Sequence, residues 1–296
     1  MNPVLRHLAK LLNGILDIVD LAVVRRSSLT KLVEQNFPMP PTGEPAVSQT
    51  SQAQFLRLAG LFTPLSPITD QKIRVGRAGD GGYVMLDRFG SDSTVFSFGI
   101  DREVSWDADM AARGFDVYMF DHTVSGPPAT NPRFHFFRKM IAPTESSSTA
   151  SIEGLLRDFG SPGPNNILKI DIEGSEWDIF DTTSLSELER FSQIACEFHY
   201  FSKATDLEWL DQACRVMEKL TSSFAVVHVH GNNCTPYSII HNIPFPEVIE
   251  VTLVNKSMFE IEESNDVFPG ELDHPNYVNR PDIYLGPFKF PAVKCN

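Results

Sequence analysis

The stretch 167-ILKIDIEGSEWDIFD-181 joins an apolar run directly to a group of acidic residues. Residues 167–171 have the composition of a buried strand, and the residues after the turn have helical spacing. Asp171, Glu173 and Glu176 therefore lie where a strand leaves the core. Carboxylates are costly where water is scarce unless a partner or a ligand compensates their charge. The stretch predicts a strand–turn–helix unit whose turn carries chemistry.

Strand and helix patterns alternate along most of the chain. Strands are predicted at 94–100, 115–121, 134–142, 167–171, 193–201, 224–230 and 247–255. Helices are predicted at 51–62, 103–114, 151–160, 175–190 and 206–220. This alternation is typical of crossover units, so we expect an α/β protein with a mainly parallel sheet. The last two strands have only a turn-rich loop between them, which predicts one antiparallel strand near an edge.

The N-terminal part of the chain differs in character from the rest. Residues 1–36 have helical spacing and a charge of +2, whereas the whole chain of 296 residues carries −13. We interpret them as an amphipathic helical extension. This extension either packs on its own domain or a second subunit, or serves as a peripheral membrane or partner-binding helix. Residues 37–50 contain four prolines and predict a linker, which leaves 51–296 as one domain.

Composition excludes several classes of function. A strongly acidic chain is repelled by phosphates, so we expect no nucleic-acid partner. The four cysteines match neither a metal knuckle nor a redox pair, which favours a reducing cytosol over a disulfide scaffold. The sequence shows no secretion signal and no apolar run long enough to span a membrane. We therefore expect a cytoplasmic protein.

In an open α/β sheet, ligands bind at the carboxyl ends of the strands. The first strand ends at Gly99, without a complete GxGxxG fingerprint. The second ends at Asp121, 22 residues later, a spacing that suits hydrogen bonds to ribose hydroxyls and suggests an adenosine ligand.

Two further strands end in pairs of polar residues. Glu197 and His199 are two residues apart, as are His228 and His230, and residues at that spacing share a strand face. Such pairs at the ligand edge indicate an active-site role for at least two of the four.

Several segments together carry a resemblance to a known family. The segments 96-FSFGIDREVSWDADMAARGFDVYMFD-121, 167-ILKIDIEGSEWDIF-180 and 194-IACEFHYF-201 resemble the FkbM-like S-adenosylmethionine-dependent methyltransferases. The segments 76-GRAGDGGYVM-85, 227-VHVHGNN-233 and 272-LDHPNYVNRPD-282 resemble signatures of one methyltransferase-like branch of that group. The resemblance extends from about residue 70 to residue 285.

This resemblance implies a fold and a cofactor site. The implied fold is that of class I methyltransferases, a seven-stranded Rossmann-like sheet with the last, antiparallel strand inserted beside the sixth. Gly99 would then lie under the methionine part of S-adenosylmethionine, and Asp121 would bind the ribose. Asp171 would lie near the sulfonium and the substrate, in a turn shaped by Glu173 and Gly174. The first loop departs from the family pattern, since residues 101–103 are Asp-Arg-Glu where relatives have small residues.

The expected activity is O-methylation of a small-molecule or glycan acceptor, that is, a sugar, a glycan or a hydroxylated metabolite. Asp171 would orient the hydroxyl, and His199 or His230 would accept its proton. Alternatively, Asp171, Glu197 and His199 would hold Mg²⁺ or Mn²⁺, which would lower the hydroxyl pKa. Segment 79–84 would act as a flap over the cofactor. The segment around Asp273, His274 and Asn276 would close the substrate side.

Two other functions remain open at this point. One is N-methylation of a protein or an amine, which needs neither a strong base nor a metal. The other is an interaction module that keeps the methyltransferase fold without catalysis. The sequence does not identify the methyl acceptor, because specificity lies in loops rather than in the fold.

Overall fold

The computed structural model of the protein describes residues 49–290, which all belong to one compact unit. The predicted extension 1–36 and most of the predicted linker 37–50 lie outside the described residues. The end of that predicted linker is helical, because the first helix begins at Gln49. Within residues 49–290, no helix is both long enough and apolar enough to cross a membrane.

Fifteen strands lie within the described residues. They are β1 (Leu65–Pro67), β2 (Lys72–Val75), β3 (Tyr83–Leu86), β4 (Val95–Phe98), β5 (Val117–Phe120), β6 (Phe134–Phe137), β7 (Met140–Ile141), β8 (Thr149–Ala150), β9 (Asn166–Ile170), β10 (Phe191–His199), β11 (Phe224–Gly231), β12 (Tyr237–Ile240), β13 (Ile243–Pro246), β14 (Val248–Asn255) and β15 (Ile261–Glu263). The helices of this region are α1 (Gln49–Leu61), α2 (Ser105–Ala112), α3 (Ile152–Asp158), α4 (Glu176–Thr182), α5 (Leu185–Leu188), α6 (Leu207–Ser223) and a 3₁₀-helix (Phe201–Thr205).

Seven strands form the central sheet in the order β11-β14-β10-β9-β4-β5-β6. Strand β14 runs antiparallel to both of its neighbours, and the remaining neighbours pair in parallel. The last strand of the sheet is therefore inserted beside the sixth. This confirms the predicted fold class, a Rossmann-like sheet of the class I methyltransferase type.

Besides several short strands that were not predicted, the structure differs from the sequence prediction in three segments that it had assigned. The helix predicted at 175–190 is two helices, because Ser184 caps α5 by accepting a hydrogen bond from the Glu187 backbone. The strand predicted at 134–142 is divided into β6 and β7. The loop predicted at 231–246 contains the hairpin β12–β13, whose turn residues His241 and Asn242 both have positive φ.

The two faces of the sheet are covered differently. One face packs under α4, α6 and α1 in the main apolar core, where Trp177, Phe198 and Phe201 are almost fully buried. Such burial stabilises the fold by roughly 2–3 kcal/mol per side chain. The opposite face packs on α2 at one end and on the hairpin β2–β3 at the other.

That opposite face carries a row of buried polar side chains. Glu197, Glu250 and His230 are cross-strand neighbours on β10, β14 and β11. Cross-strand neighbours of an antiparallel pair lie on the same face of the sheet, with Cβ atoms about 5 Å apart. This row begins at the carboxyl ends of the central strands, where a ligand is expected, and extends toward the C-terminal segment, residues 264–290.

Candidate functional site

Four predicted site residues lie at one edge of the sheet. Gly99, Asp121 and Asp171 directly follow β4, β5 and β9, and His199 ends β10. The Asp171 backbone N–H donates to the Phe98 carbonyl at 3.0 Å, so the ends of β4 and β9 stay in register up to this point. The structure thus brings together the glycine and the acidic residues that the sequence places at strand ends.

Position 99 requires glycine because the backbone of Asp171 approaches it closely. Its φ is +73°, and a Cβ at this position would overlap the carbonyl oxygen of Asp171. Its own carbonyl accepts a hydrogen bond from the buried Lys169 ammonium group. Only glycine satisfies both the backbone conformation and the space available. This position therefore fixes the turn after β4 against the turn after β9.

Asp121 holds the same turn from the other side. Its Oδ2 accepts from the backbone N–H groups of Ile100 and Asp101 at 2.9 and 3.0 Å. Its Oδ1 accepts from the backbone and hydroxyl groups of Thr123 at 2.7 and 2.6 Å. Burial opposes ionisation, but these donors outweigh it and lower the pKa of Asp121. A ribose hydroxyl would have to replace one donor, and the rotatable Thr123 hydroxyl is the easiest to displace.

A compact cluster surrounds His199, whose side chain is 8% exposed. Its Nε2 lies 3.7 Å from Glu173 Oε2, 3.8 Å from Asp171 Oδ1 and 4.0 Å from Glu197 Oε2. These separations are too long for hydrogen bonds, so Nε2 faces three carboxylates without bonding to any of them. Burial lowers the pKa of His199, but the neighbouring carboxylates outweigh this effect and raise it.

The turn after β9 is built by Glu176, which is fully buried. Its Oε1 accepts from the Ile172 backbone N–H at 2.7 Å and lies 3.3 Å from His199 Nδ1. Gly174 in this turn has a φ of +95°, and a Cβ there would overlap the Tyr200 ring. Glu176 therefore shapes the DIEGSE turn and orients the imidazole from behind, while Asp171 and Glu173 face the site.

Glu197 contributes a different kind of carboxyl group. It is 4% exposed, and its Oε1 accepts from Asn232 Nδ2 at 2.5 Å. Burial raises the pKa of Glu197 well above its ordinary value, and the charges of Asp171 and Glu250 add to this rise. Tyr83 from β3 approaches the same cluster, with its hydroxyl 3.5 Å from Asp171 Oδ2.

The structure places His230 away from this cluster. Its Nδ1 lies 3.0 Å from Glu250 Oε2, and its Nε2 lies 3.0 Å from Asp282 Oδ1. Burial lowers the pKa of His230, but these two carboxylates raise it to about 10. A general base must be neutral, so this setting favours a protonated His230 that holds the C-terminal segment. His228 also contacts a carboxylate of the C-terminal segment, since its Nε2 lies 2.7 Å from Asp273 Oδ1.

The segment 227-VHVHGNN-233 is therefore a docking site for the C-terminal segment. Besides the two imidazoles, the Asn233 side chain bonds to the backbone of Tyr277, Arg280 and Pro281. Asn276 bonds to Glu250 Oε1 at 2.5 Å and approaches Asp80 Oδ1 at 3.4 Å. The C-terminal segment thus lies against the loop 76–82 beside the site, and its predicted closing of the substrate side stays a prediction.

Sequence reasoning missed three residues of this site. Tyr83 and Asp80 come from a hairpin whose short strands have a glycine-rich, turn-like composition. Lys169 is a charge inside an otherwise apolar strand, and that signal was visible in 167-ILKID-171. A buried lysine needs a polar partner, so a lysine within an apolar strand indicates a polar contact or a ligand nearby.

Comparison with known proteins identifies a related family for part of the chain. Residues 111–222 match the family model of the methyltransferase FkbM domain. This part of the chain is similar to an FkbM methyltransferase domain. The matched segment includes Asp121, Asp171 and His199, whereas Gly99 and His230 lie outside it. A search of curated proteins finds no match to the chain.

Proposed function

We propose that this FkbM methyltransferase is S-adenosylmethionine-dependent and methylates a hydroxyl oxygen of a sugar, a glycan or a hydroxylated metabolite. The observation that carries the proposal is the approach of His199 to Asp171 at the edge where β4, β5, β9 and β10 end. There a proton-accepting imidazole lies beside a carboxylate that can orient a hydroxyl group.

The charges of this edge suit the proposed cofactor. S-adenosylmethionine has a sulfonium and an ammonium group, both positively charged. The edge presents the carboxylates of Asp171 and Glu173, and Asp80 lies in the turn of the hairpin β2–β3, whose Tyr83 hydroxyl is 3.5 Å from Asp171 Oδ2. A positively charged ligand is favoured where carboxylates converge. Asp121 and the loop after Gly99 would hold its adenosine half.

When bound, S-adenosylmethionine supplies a methyl group activated by the positive sulfur. Its methyl group would go to the acceptor oxygen, and its sulfur would keep the electron pair of the broken carbon–sulfur bond and leave as the neutral thioether of S-adenosylhomocysteine. The hydroxyl proton passes to His199 Nε2. Asp171 and Glu173 lie near this nitrogen and would stabilise the imidazolium that forms. The hydroxyl has a single proton, which would be hydrogen-bonded to Asp171 Oδ1 in the initial complex and would move to His199 Nε2, 3.8 Å from that oxygen, as the methyl group is transferred.

A divalent cation is a second candidate at the same place. Asp171, Glu173 and His199 each offer one ligand atom, and these atoms all lie within 4.8 Å of one another. Carboxylates with one imidazole suit Mg²⁺ or Mn²⁺. This set contains Glu173, whereas the sequence predicted Glu197, which bonds to Asn232 and has a raised pKa. A bound ion would lower the hydroxyl pKa and replace His199 as the activating group.

The test begins with calorimetric titration of S-adenosylhomocysteine into chelator-treated protein. We expect binding, and we expect Asp121→Ala to weaken it at least about tenfold, since hydrogen bonds to charged groups contribute about 1.5–3 kcal/mol. His135→Gln, an exposed histidine on β6, is the matched surface control. Repeating the titration with Mn²⁺ shows whether a metal contributes. Absence of binding under every condition would overturn the proposal and leave a non-catalytic interaction module.

His199 distinguishes oxygen from nitrogen acceptors. With a hydroxyl acceptor, His199→Gln should reduce turnover about 10²–10⁴-fold, the usual contribution of a positioned base. With an amine acceptor, the acidic edge would bind the ammonium form, and Asp171→Asn should then reduce turnover more than His199→Gln does. Retention of Mn²⁺-independent hydroxyl methylation by His199→Gln would exclude His199 as the base.

A further inference from the structure

Lys169 is a charged residue within the central sheet. It lies on β9 between Ser97 of β4 and Ala195 of β10, and it is only 4% exposed. Its Nζ donates to the carbonyl oxygen of Gly99. An ammonium group has three donors and a full positive charge, so one bond to a neutral carbonyl leaves most of its requirement unmet.

No carboxylate of the described residues completes this requirement. Within residues 49–290, Lys169 makes no ion pair, since no carboxylate oxygen lies within 4.0 Å of its Nζ. Asp107, in the first turn of α2, is 1% exposed, and neither of its oxygens has a hydrogen-bond partner among the described residues. Burial raises the pKa of Asp107, and Lys169 is the positive charge that moderates this rise. The two groups therefore attract each other without making contact.

The position of Lys169 relates this charge to the ligand edge. Gly99, whose carbonyl it holds, forms the turn that would lie under the methionine half of the cofactor. Asp171 follows two residues later on the same strand face, at about 6–7 Å along the strand. Asp80 also interacts electrostatically with both Lys169 and Asp171. A cation and a pair of carboxylates at this separation complement the two charges of an α-amino acid.

We propose that the Lys169 ammonium group binds the carboxylate of the methionine half of S-adenosylmethionine, with Asp171 and Asp80 providing the negative potential for its ammonium group. This inference rests on the proposed function, because it assigns a partner to one end of the proposed cofactor. It gives Lys169 a role in cofactor binding in addition to its bond to Gly99. The carboxylate of the bound ligand would then supply the hydrogen-bond acceptors and the negative charge that the buried Lys169 ammonium group lacks.

The experiment compares two nucleosides that differ in the amino-acid group. S-adenosylhomocysteine contains the carboxylate, whereas 5′-methylthioadenosine lacks the whole amino-acid part. We expect Lys169→Met to weaken binding of S-adenosylhomocysteine at least about tenfold, the loss typical of a charge-assisted hydrogen bond. Binding of 5′-methylthioadenosine should change less than about twofold. Lys169→Arg, which keeps the charge, should restore part of the affinity.

The double variant Lys169→Met/Asp107→Asn shows whether a folding defect causes the loss of binding in Lys169→Met. It removes both buried charges, so it leaves no uncompensated carboxylate in the core. Its thermal unfolding midpoint should exceed that of Lys169→Met. Its preference for S-adenosylhomocysteine over 5′-methylthioadenosine should be as much reduced, relative to the wild-type protein, as in Lys169→Met. Equal weakening of both nucleosides, or unchanged binding of S-adenosylhomocysteine, would overturn the inference and leave the proposed function standing. Failure of the wild-type protein to bind either nucleoside would instead overturn both.

Discussion

Replacing His230 with glutamine should weaken the attachment of the C-terminal segment and alter how stability depends on pH. His230 is 1% exposed and lies between Glu250 of β14 and Asp282 of residues 264–290, 3.0 Å from each. Burial lowers the pKa of His230, but these carboxylates raise it to about 10. Glutamine keeps a hydrogen-bonding side chain and removes the charge, so two carboxylates would face a neutral amide.

The magnitude follows from the two pKa values. The unfolded chain has an ordinary histidine pKa of about 6.5, so between pH 6.5 and 10 the folded protein binds the extra proton. The stabilisation is therefore fully present below pH 6.5 and is lost as pH rises toward 10. The loss approaches about 1.4 kcal/mol per pH unit, or about 2–3 kcal/mol between pH 7 and 9. Removing one partner of a buried pair costs about 3–5 kcal/mol, and the partial exposure of Asp282 favours the lower end.

Urea denaturation at pH 7 and pH 9 tests this reasoning. At pH 7, His230→Gln should be about 3 kcal/mol less stable than the wild-type protein. At pH 9 the difference should narrow by about 2 kcal/mol, because the unfolded chain has then released its histidine proton while the folded wild-type protein must still take one up. His135→Gln should change stability by no more than about 1 kcal/mol and equally at both pH values, since that partly exposed histidine pairs with Asp116 and stacks on Tyr118. The same difference at both pH values would show that His230 is not protonated in the folded protein.

Three further substitutions test the turns that build the site. Gly99→Ala should destabilise the fold by several kcal/mol and abolish binding of S-adenosylhomocysteine, because its Cβ would overlap the Asp171 carbonyl; thermal unfolding and calorimetry check this. Gly174→Ala should lower the unfolding midpoint, and adding Tyr200→Ala should recover part of the loss, since the Cβ would overlap that ring. As a control away from these turns, Ser151→Ala should cost about 1 kcal/mol in urea denaturation without affecting ligand binding, because it removes the N-terminal cap of α3 and an exposed hydrogen bond to Glu145.

Much of the fold was predictable because its signals are local. The strands that became β4, β5, β9 and β10 have apolar runs that end in Gly99, Asp121, Asp171 and His199, so both the sheet and its ligand edge followed from the sequence. The antiparallel orientation of β14 was predictable because the sequence shows no helix between the last two predicted strands. Hairpins such as β2–β3 were missed, because short strands within glycine-rich segments have too few residues to show periodicity.

The site itself was only partly accessible to such reasoning. The sequence placed polar residues at strand ends but did not indicate which of them face one another. His230 has the same strand pattern as His199, yet one lies between two carboxylates under the C-terminal segment and the other faces Asp171. Their difference in surroundings comes from β14, which enters the sheet between β10 and β11.

By itself, therefore, the sequence determined the α/β class, the order of elements and the acidic turn after β9, since apolar periodicity and turn residues act over a few neighbouring positions. Only the tertiary structure decided the partners of each charge. Asp282 meets His230 across 52 residues, and Lys169 reaches Gly99 across 70. Such contacts depend on how strands pair and which segments cover them, and the free energy of a buried charge is set by these distant partners rather than by its neighbours in the chain.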